Sequence, residues 1–530
     1  MKKIFKIKSL FGIVCLSLVL TFFACSNDIL DQENNNATST ANFGTSEEQV
    51  NSAINGAFHP VTGTFFWGRI IHTGALLRSD EFNVFPFGSN TAMSTFLGNP
   101  GDRWATEPWQ ELYKSIFRCN NIIINTKIDA PELVGQAYFL RAFDYWYLLN
   151  LYGNVGSGEQ GGIPLITEMP DLDNLLVSQA PAADVWAQII ADLEMAETML
   201  PPSWSGDDLG RATSGAATAL KGKSYLYMKQ YGPAATALES LVGKYSLLPS
   251  SSYGENFSIT NENNNESVFE LQYLGQETFV WGTDIPGTGT MGNYHIDYAP
   301  PTKSPDRSHV VNPWLKVLFE ANGDMVRRNE TLAYDYPGST GYGGIDFATD
   351  MAEDITVAND AGMEPIFSKK YSGMDLGPRD AVDFLGTNVG NNWRVIRYSD
   401  VLLMLAEALN ENGMTSQAIG HIDEVRERAG LNLIADTNPG IDQAAMRQAI
   451  IEERAMELAG EGHRFFDLVR WGLADEYLGT TSMHVANGSQ TYHPKSLSGG
   501  TFQSGKHELV WIPNSERDAN PNLDQNPNYN

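Results

Sequence analysis

The sequence predicts a mainly all-α fold: a tetratricopeptide-type helical repeat scaffold carrying a loop-rich insert with a few short strands. Three observations lead there. Apolar residues recur at spacings of three and four through two long blocks, near 107–245 and 394–472. Small residues occupy the positions where paired helices would cross, with glycine between the pairs, as in Ala216, Ala219, Gly222 and Gly232, and again in Ala406 and Gly413. Residues 246–393 are dominated by Gly, Asn, Pro, Thr and Asp and hold no sustained period.

Residues 1–24 read as a secretory signal. Lys2, Lys3, Lys6 and Lys8 form a positive start, and Leu10 to Phe23 is an apolar run too short and wrongly flanked to span a bilayer. Ala24-Cys25 makes it a lipoprotein signal, because cleavage before Cys25 leaves a thiol at the new N-terminus for diacylglycerol. Acyl chains contribute roughly 0.8 kcal/mol per buried CH₂, so the expected protein hangs from a membrane by its lipid alone. Residues 25–42 are the lipidated Cys25 and a polar, flexible tether; 43–530 form the folded domain.

The helices follow in order. Ser46 is the expected N-cap of the first, with Glu47 and Glu48 in its first turn. Residues 59–106, rich in Gly, Phe, Asn and Trp, read as a long decorated loop region. From Glu107 the helical period returns, and Pro131 opens a second helix over 131–151 that Gly153 stops. Helices are expected over 182–200, then as pairs over 213–230 with 233–243 and over 399–412 with 415–429. Within 246–393, Ser267 to Tyr273 alternates like a strand, and helical character appears near 312–322. Trp109, Trp146, Trp186 and Trp471 lie at apolar helical spacing and are assigned to the core.

Composition limits the function. The net charge is −29, and removing the signal takes four lysines and no acid, giving −33. So acidic a chain argues against nucleic acid and against peripheral attachment to anionic lipid. Once Cys15 has left with the signal and Cys25 is acylated, Cys119 stands alone; no intramolecular disulfide or Cys-based zinc site is available. There is no HExxH motif, phosphate loop or EF-hand, so no cofactor is expected. The Asp-rich turns from Asp346 to Asp354 offer oxygen ligands for a structural calcium, although hydrated loop is the ordinary fate of such residues.

Four segments together resemble a known family. They are Asn392-Trp393-Arg394 through Arg397-Tyr398-Ser399-Asp400-Val401-Leu402-Leu403 to Ala406-Glu407-Ala408, then Glu453-Arg454 through Glu457-Leu458 to Glu461-Gly462-His463-Arg464-Phe465-Phe466-Asp467-Leu468 and Arg470-Trp471-Gly472. The others are Phe139-Leu140-Arg141-Ala142-Phe143 with Tyr152-Gly153 and Ile163-Pro164-Leu165, and the ending Ile512-Pro513-Asn514 to Asn526-Pro527-Asn528-Tyr529. Taken in chain order, they resemble the SusD/RagB nutrient-uptake lipoproteins of Bacteroidetes. The resemblance implies a helical protein on the outer face of the outer membrane. It would bind oligosaccharides or other nutrients and pass them to a SusC-like TonB-dependent barrel, without being an enzyme. It also implies that the loop-rich parts, 59–106 and 246–393, bind the ligand.

Glu461, His463, Arg464, Asp467 and Arg470 offer a His–Asp pair at helical spacing, yet no nucleophile elbow accompanies them; a network of ion pairs stitching helices is the favoured reading. Sugars present apolar C–H faces and hydroxyl edges, which call for flat aromatics beside polar side chains. Aromatics in long loops are therefore the candidates: Phe66 and Trp67, with Arg78, Asp80 and Asn83; Trp104; and Trp281 with Asp284, Tyr294 and Tyr298. The expected function is capture of an oligo- or polysaccharide, with a neutral glucan or mannan mildly preferred. A surface glycoside hydrolase, a structural adaptor, and a carrier of peptide or another nutrient are the alternatives.

Overall fold

A computed structural model describes residues 43–84, 91–153, 162–169, 175–273, 294–303, 309–374, 390–485, 491–494 and 500–529. The signal, Cys25 and the tether lie outside the described residues, as do Trp281 and Asp284. The helices are α1 (Glu47–Thr62), α2 (Ile70–Arg78), α3 (Thr91–Thr95), α4 (Arg103–Asn125), α5 (Pro131–Tyr152), α6 (Ala182–Met199), α7 (Ser214–Tyr227), α8 (Tyr231–Glu239), α9 (His295–Tyr298), α10 (Pro313–Asn322), α11 (Met325–Thr331), α12 (Phe347–Asp350), α13 (Ala352–Asp360), α14 (Tyr398–Glu411), α15 (Thr415–Arg428), α16 (Ile434–Thr437), α17 (Gln443–Glu457), α18 (Arg464–Trp471), α19 (Ala474–Leu478) and α20 (Asn514–Ala519). The strands are short and paired in twos: β1 (Phe82–Val84), β2 (Ile163–Pro164), β3 (Gln179–Ala180), β4 (Ser267–Leu271), β5 (His309–Val311), β6 (Leu332–Ala333), β7 (Phe367–Ser368), β8 (Trp393–Arg397), β9 (His484–Val485) and β10 (Thr491–Tyr492). Among the described residues no helix is long and apolar enough to cross a membrane.

Local chemistry sets the helix ends. Ser46 caps α1 by accepting a hydrogen bond from the Gln49 N–H, with Glu47 and Glu48 at the positive end of the dipole. Pro131 stands in the first turn of α5, where its missing N–H costs nothing. Thr213 caps α7 and Asp442 caps α17. Gly413 turns the chain from α14 into α15 at φ +78°, a conformation that penalises any Cβ.

Packing follows chain order. α1 packs on α4, α4 on α5, α5 on α6, α6 on α7 and α7 on α8; α8 then packs on α14, far along the chain, which packs on α15 and α17. Such nearest-neighbour stacking is the signature of helical repeats. The jump from α8 to α14 explains how residues 250–393 emerge as an insert without interrupting the stack. At the α7–α8 crossing a Cβ on Gly222 would lie 2.6 Å from Leu238 Cγ, so the close approach depends on glycine. Two helices are enclosed on every side: α5 is buried from Phe139 to Tyr152, and α14 from Tyr398 to Asn410.

The expected helices and the expected strand are present. β4 (Ser267–Leu271) pairs antiparallel with β8 (Trp393–Arg397), tying the insert to the stack just ahead of α14. The segment 59–106 differs from its expectation as one long loop. It contains the end of α1, then α2, β1 (Phe82–Val84), α3 and the first turn of α4. None of α2, β1 and α3 is long enough to display a sustained period, and Pro60 inside α1 imitates a helix stop. β1 pairs with β5 (His309–Val311), which joins this region to the insert. A satellite core around Tyr342, Phe347, Met351 and Phe367 supports the insert's own helices.

Candidate functional site

Four of the expected ligand residues meet in one place, inside the protein. Phe66 and Trp67 follow α1, and the Trp67 ring lies 6.0 Å from Phe143, 5.3 Å from Tyr147 and 6.1 Å from Trp393. From the insert, Tyr294 and Tyr298 reach the same Trp393 at 5.0 and 6.0 Å, and Tyr371 stacks on it at 4.1 Å. The Tyr298 hydroxyl donates to the Gly460 carbonyl at 2.9 Å, and Tyr294 donates to the Asn391 carbonyl. All four are buried, so the rings expected to face a ligand instead cement the insert onto the helical stack.

The polar candidates are likewise enclosed. Asp80 receives both arms of the Arg464 guanidinium at 2.9 and 3.0 Å, and that ion pair holds its carboxylate below the usual range against the opposing effect of burial. Asn83 donates to the Pro494 carbonyl at 3.1 Å and accepts from the Val84 N–H. Arg78 donates to the Leu509 and His507 carbonyls and lies 4.3 Å from the Phe465 ring; burial lowers its pKa to about 10. Trp104 opens α4 with its indole in the core. Their spacing in the sequence reads as a loop, whereas Arg78, Asp80 and Asn83 lie on or beside the short α2 and β1, and Trp104 lies in the first turn of the long α4.

The tempting His–Asp pair forms no catalytic geometry. Burial and the neighbouring Lys223 push the His463 pKa down to about 4, so the ring is neutral near pH 7, and its Nδ1 sits 3.3 Å from Lys223 Nζ. Asp467 is engaged by Arg454 at 2.8 Å and Arg470 at 2.8 Å; burial opposes ionisation, but these two cations hold it ionised. Arg454 also reaches Asp400 at 2.7 Å. A second lattice centres on Arg397, which meets Glu461 at 2.8 Å, Glu457 at 2.9 Å and Glu266 at 2.5 Å. Lys370, Arg327 and Arg428 join it. The expectation of a helix-stitching network describes these residues, which link β8, α14, α15, α17 and α18 with the insert.

The acidic side chains are engaged within the fold, Asp346 as the N-cap of α12. Asp346 accepts from Thr349, Asp350 from the Tyr342 N–H and Asp354 from the Thr302 N–H. Among the described residues no group of three or more His, Cys, Asp or Glu side chains converges as a metal site. Of the tryptophans assigned to the core, Trp109, Trp146 and Trp186 are buried. Trp471 is a correction. It ends α18, where Gly472 turns away at φ +74°, and its partly exposed indole lines a cavity of about 380 Å³ between α8, α14, α17 and α19. Tyr231, Tyr477, Glu411 and Arg447 line it too and were not anticipated; they belong to separate helices, and nothing in linear spacing brings them together.

Comparison with known proteins agrees with this architecture. Residues 28–226 match the family model described as "Starch-binding associating with outer membrane", and residues 383–529 match that of the SusD family. A SusD-like protein of Formosa agariphila is 26% identical, covering 98% of this chain and 99% of the relative. The starch-binding protein SusD of Bacteroides thetaiotaomicron is 24% identical over 76% of this chain and 74% of its own. Among solved structures, a laminarin-binding SusD-like protein is 27% identical, with a TM-score of 0.69 over 91% of this chain and all of the other. A SusD homologue from Bacteroides thetaiotaomicron shares the fold with a TM-score of 0.74 at 22% identity, over 94% of this chain and all of the other.

Proposed function

The chain belongs to the SusD family of glycan-binding proteins, and on that premise we propose that it is a cell-surface lipoprotein that captures a neutral glycan for import. The observation that carries this reading is the likeness to the laminarin-binding protein over its whole length, at 27% identity. Cys25 supplies the anchor, and the lipid keeps the protein at the outer membrane. Tethering beside a SusC-like TonB-dependent transporter raises the effective concentration of captured glycan without new contacts. The helical stack offers the broad surface such a transporter needs.

Ligand contact is assigned to Trp281 and Asp284, an aromatic and a hydrogen-bonding side chain in the insert. The buried Phe66, Trp67, Tyr294 and Tyr298 serve by holding the insert in place. Affinity electrophoresis against neutral and acidic polysaccharides tests the reading. One neutral glycan is expected to retard the protein, with retardation lost in Trp281→Ala. Retardation by no glycan, or by acidic ones alone, would contradict it.

A further inference from the structure

We propose that the cavity beside Trp471 is a second carbohydrate site, one that takes a neutral mono- or disaccharide unit and is separate from the loop surface. At about 380 Å³ it stands at the low end of small-ligand pockets, roughly 300–1,000 Å³, which suits a chain end or a short sugar rather than a polymer segment. No residue of 59–106 or of the insert lines it.

Three partly exposed aromatic rings border the space: Tyr231, Trp471 and Tyr477. The indole is held in place. Its Nε1 donates to Glu407 at 2.8 Å, and the Arg470 guanidinium lies 4.7 Å from the ring centre. Glu407 is itself fixed by Arg470 at 2.7 Å. A ring with its polar edge already satisfied and apolar surface still exposed is a platform for stacking.

The polar lining fixes the ligand class. Its ionisable side chains are three cations, Lys229, Arg447 and Arg470, and three anions, Glu407, Glu411 and Glu476, so they sum to zero. Arg447 and Glu411 form an ion pair at 2.7 Å at the rim, and Gln448 adds an amide. The lining as a whole offers a charged ligand no net attraction, whereas the paired Arg447–Glu411 and Arg470–Glu407 groups retain spare donors and acceptors for hydroxyls. Flat apolar surface beside balanced hydroxyl-binding groups matches a neutral sugar.

Saturation-transfer NMR on the mature chain tests this with glucose, mannose, galactose, maltose and laminaribiose in the millimolar range. At least one sugar is expected to give saturable transfer. In a Trp281→Ala background, which silences the loop site, the apparent Kd is expected to rise about tenfold or more on adding Tyr231→Ala or Ala444→Trp. Ala444 is exposed at the rim, so Ala444→Trp fills the cavity without disturbing the core. In that background, saturable transfer from none of the five, or transfer that survives Ala444→Trp, would overturn the proposal. Retardation by a polysaccharide alongside any of these outcomes would leave the loop-surface reading standing.

Discussion

Glu81 precedes β1 in a fully buried position, and its Oε2 has no hydrogen-bond partner. Burial, with the charge of Asp80 beside it, raises its pKa to about 8 from an ordinary value of 4.5. The folded state therefore holds this proton more tightly than the unfolded chain. The stabilisation is full below pH 4.5 and is lost as pH rises toward 8. Glu81→Gln imitates the protonated form, so its advantage should be absent near pH 4 and grow to at most about 3 kcal/mol at pH 7. Thermal melts of both proteins across pH 4–8 check this; parallel melting curves at every pH would contradict the assignment. Trp471 teaches a different lesson at the same scale. Its helical spacing placed it on an apolar stripe, but its position as the last residue of α18 leaves it partly exposed, and periodicity carries no information about helix ends.

Elements were legible in the sequence in proportion to their length. α5, α6 and α14 span several turns, so their periods emerge, and Ser46 and Pro131 mark the starts of α1 and α5 by local chemistry alone. The short pieces between Thr62 and Arg103 do not, because a two-turn helix and a three-residue strand are fixed by what they pack against. The same reason hid the fate of Phe66, Trp67, Tyr294 and Tyr298: absence of a period says nothing about burial. Two substitutions probe how the elements are joined. Gly222→Val forces its side chain against Leu238 and should destabilise the α7–α8 pair by roughly 1–3 kcal/mol. Arg397→Met leaves Glu266, Glu457 and Glu461 short of a cation and should cost roughly 3–5 kcal/mol. Denaturant unfolding measures both, and a change below 0.5 kcal/mol, on the order of an ordinary surface substitution, would show that the contact carries no weight.

At the scale of the whole molecule, the dominant facts are a packed helical stack, an insert pinned by aromatics and ion pairs, and a net charge of −29. A protein so acidic attracts polyanions poorly, while a neutral glycan held by stacking and hydrogen bonds senses little of the field. Its affinity should therefore stay within about twofold between 0.05 and 0.5 M salt, a range over which Debye screening changes severalfold. A steep salt dependence in affinity electrophoresis would point instead to a charged cargo. The most direct measurement is isothermal titration of the mature chain with oligosaccharides of the retarding glycan, followed by chromatography of the recovered ligand. Saturable heat with the glycan returned intact is the expected result and is what capture for import requires. Shortened products with new reducing ends would contradict it and make the protein a hydrolase.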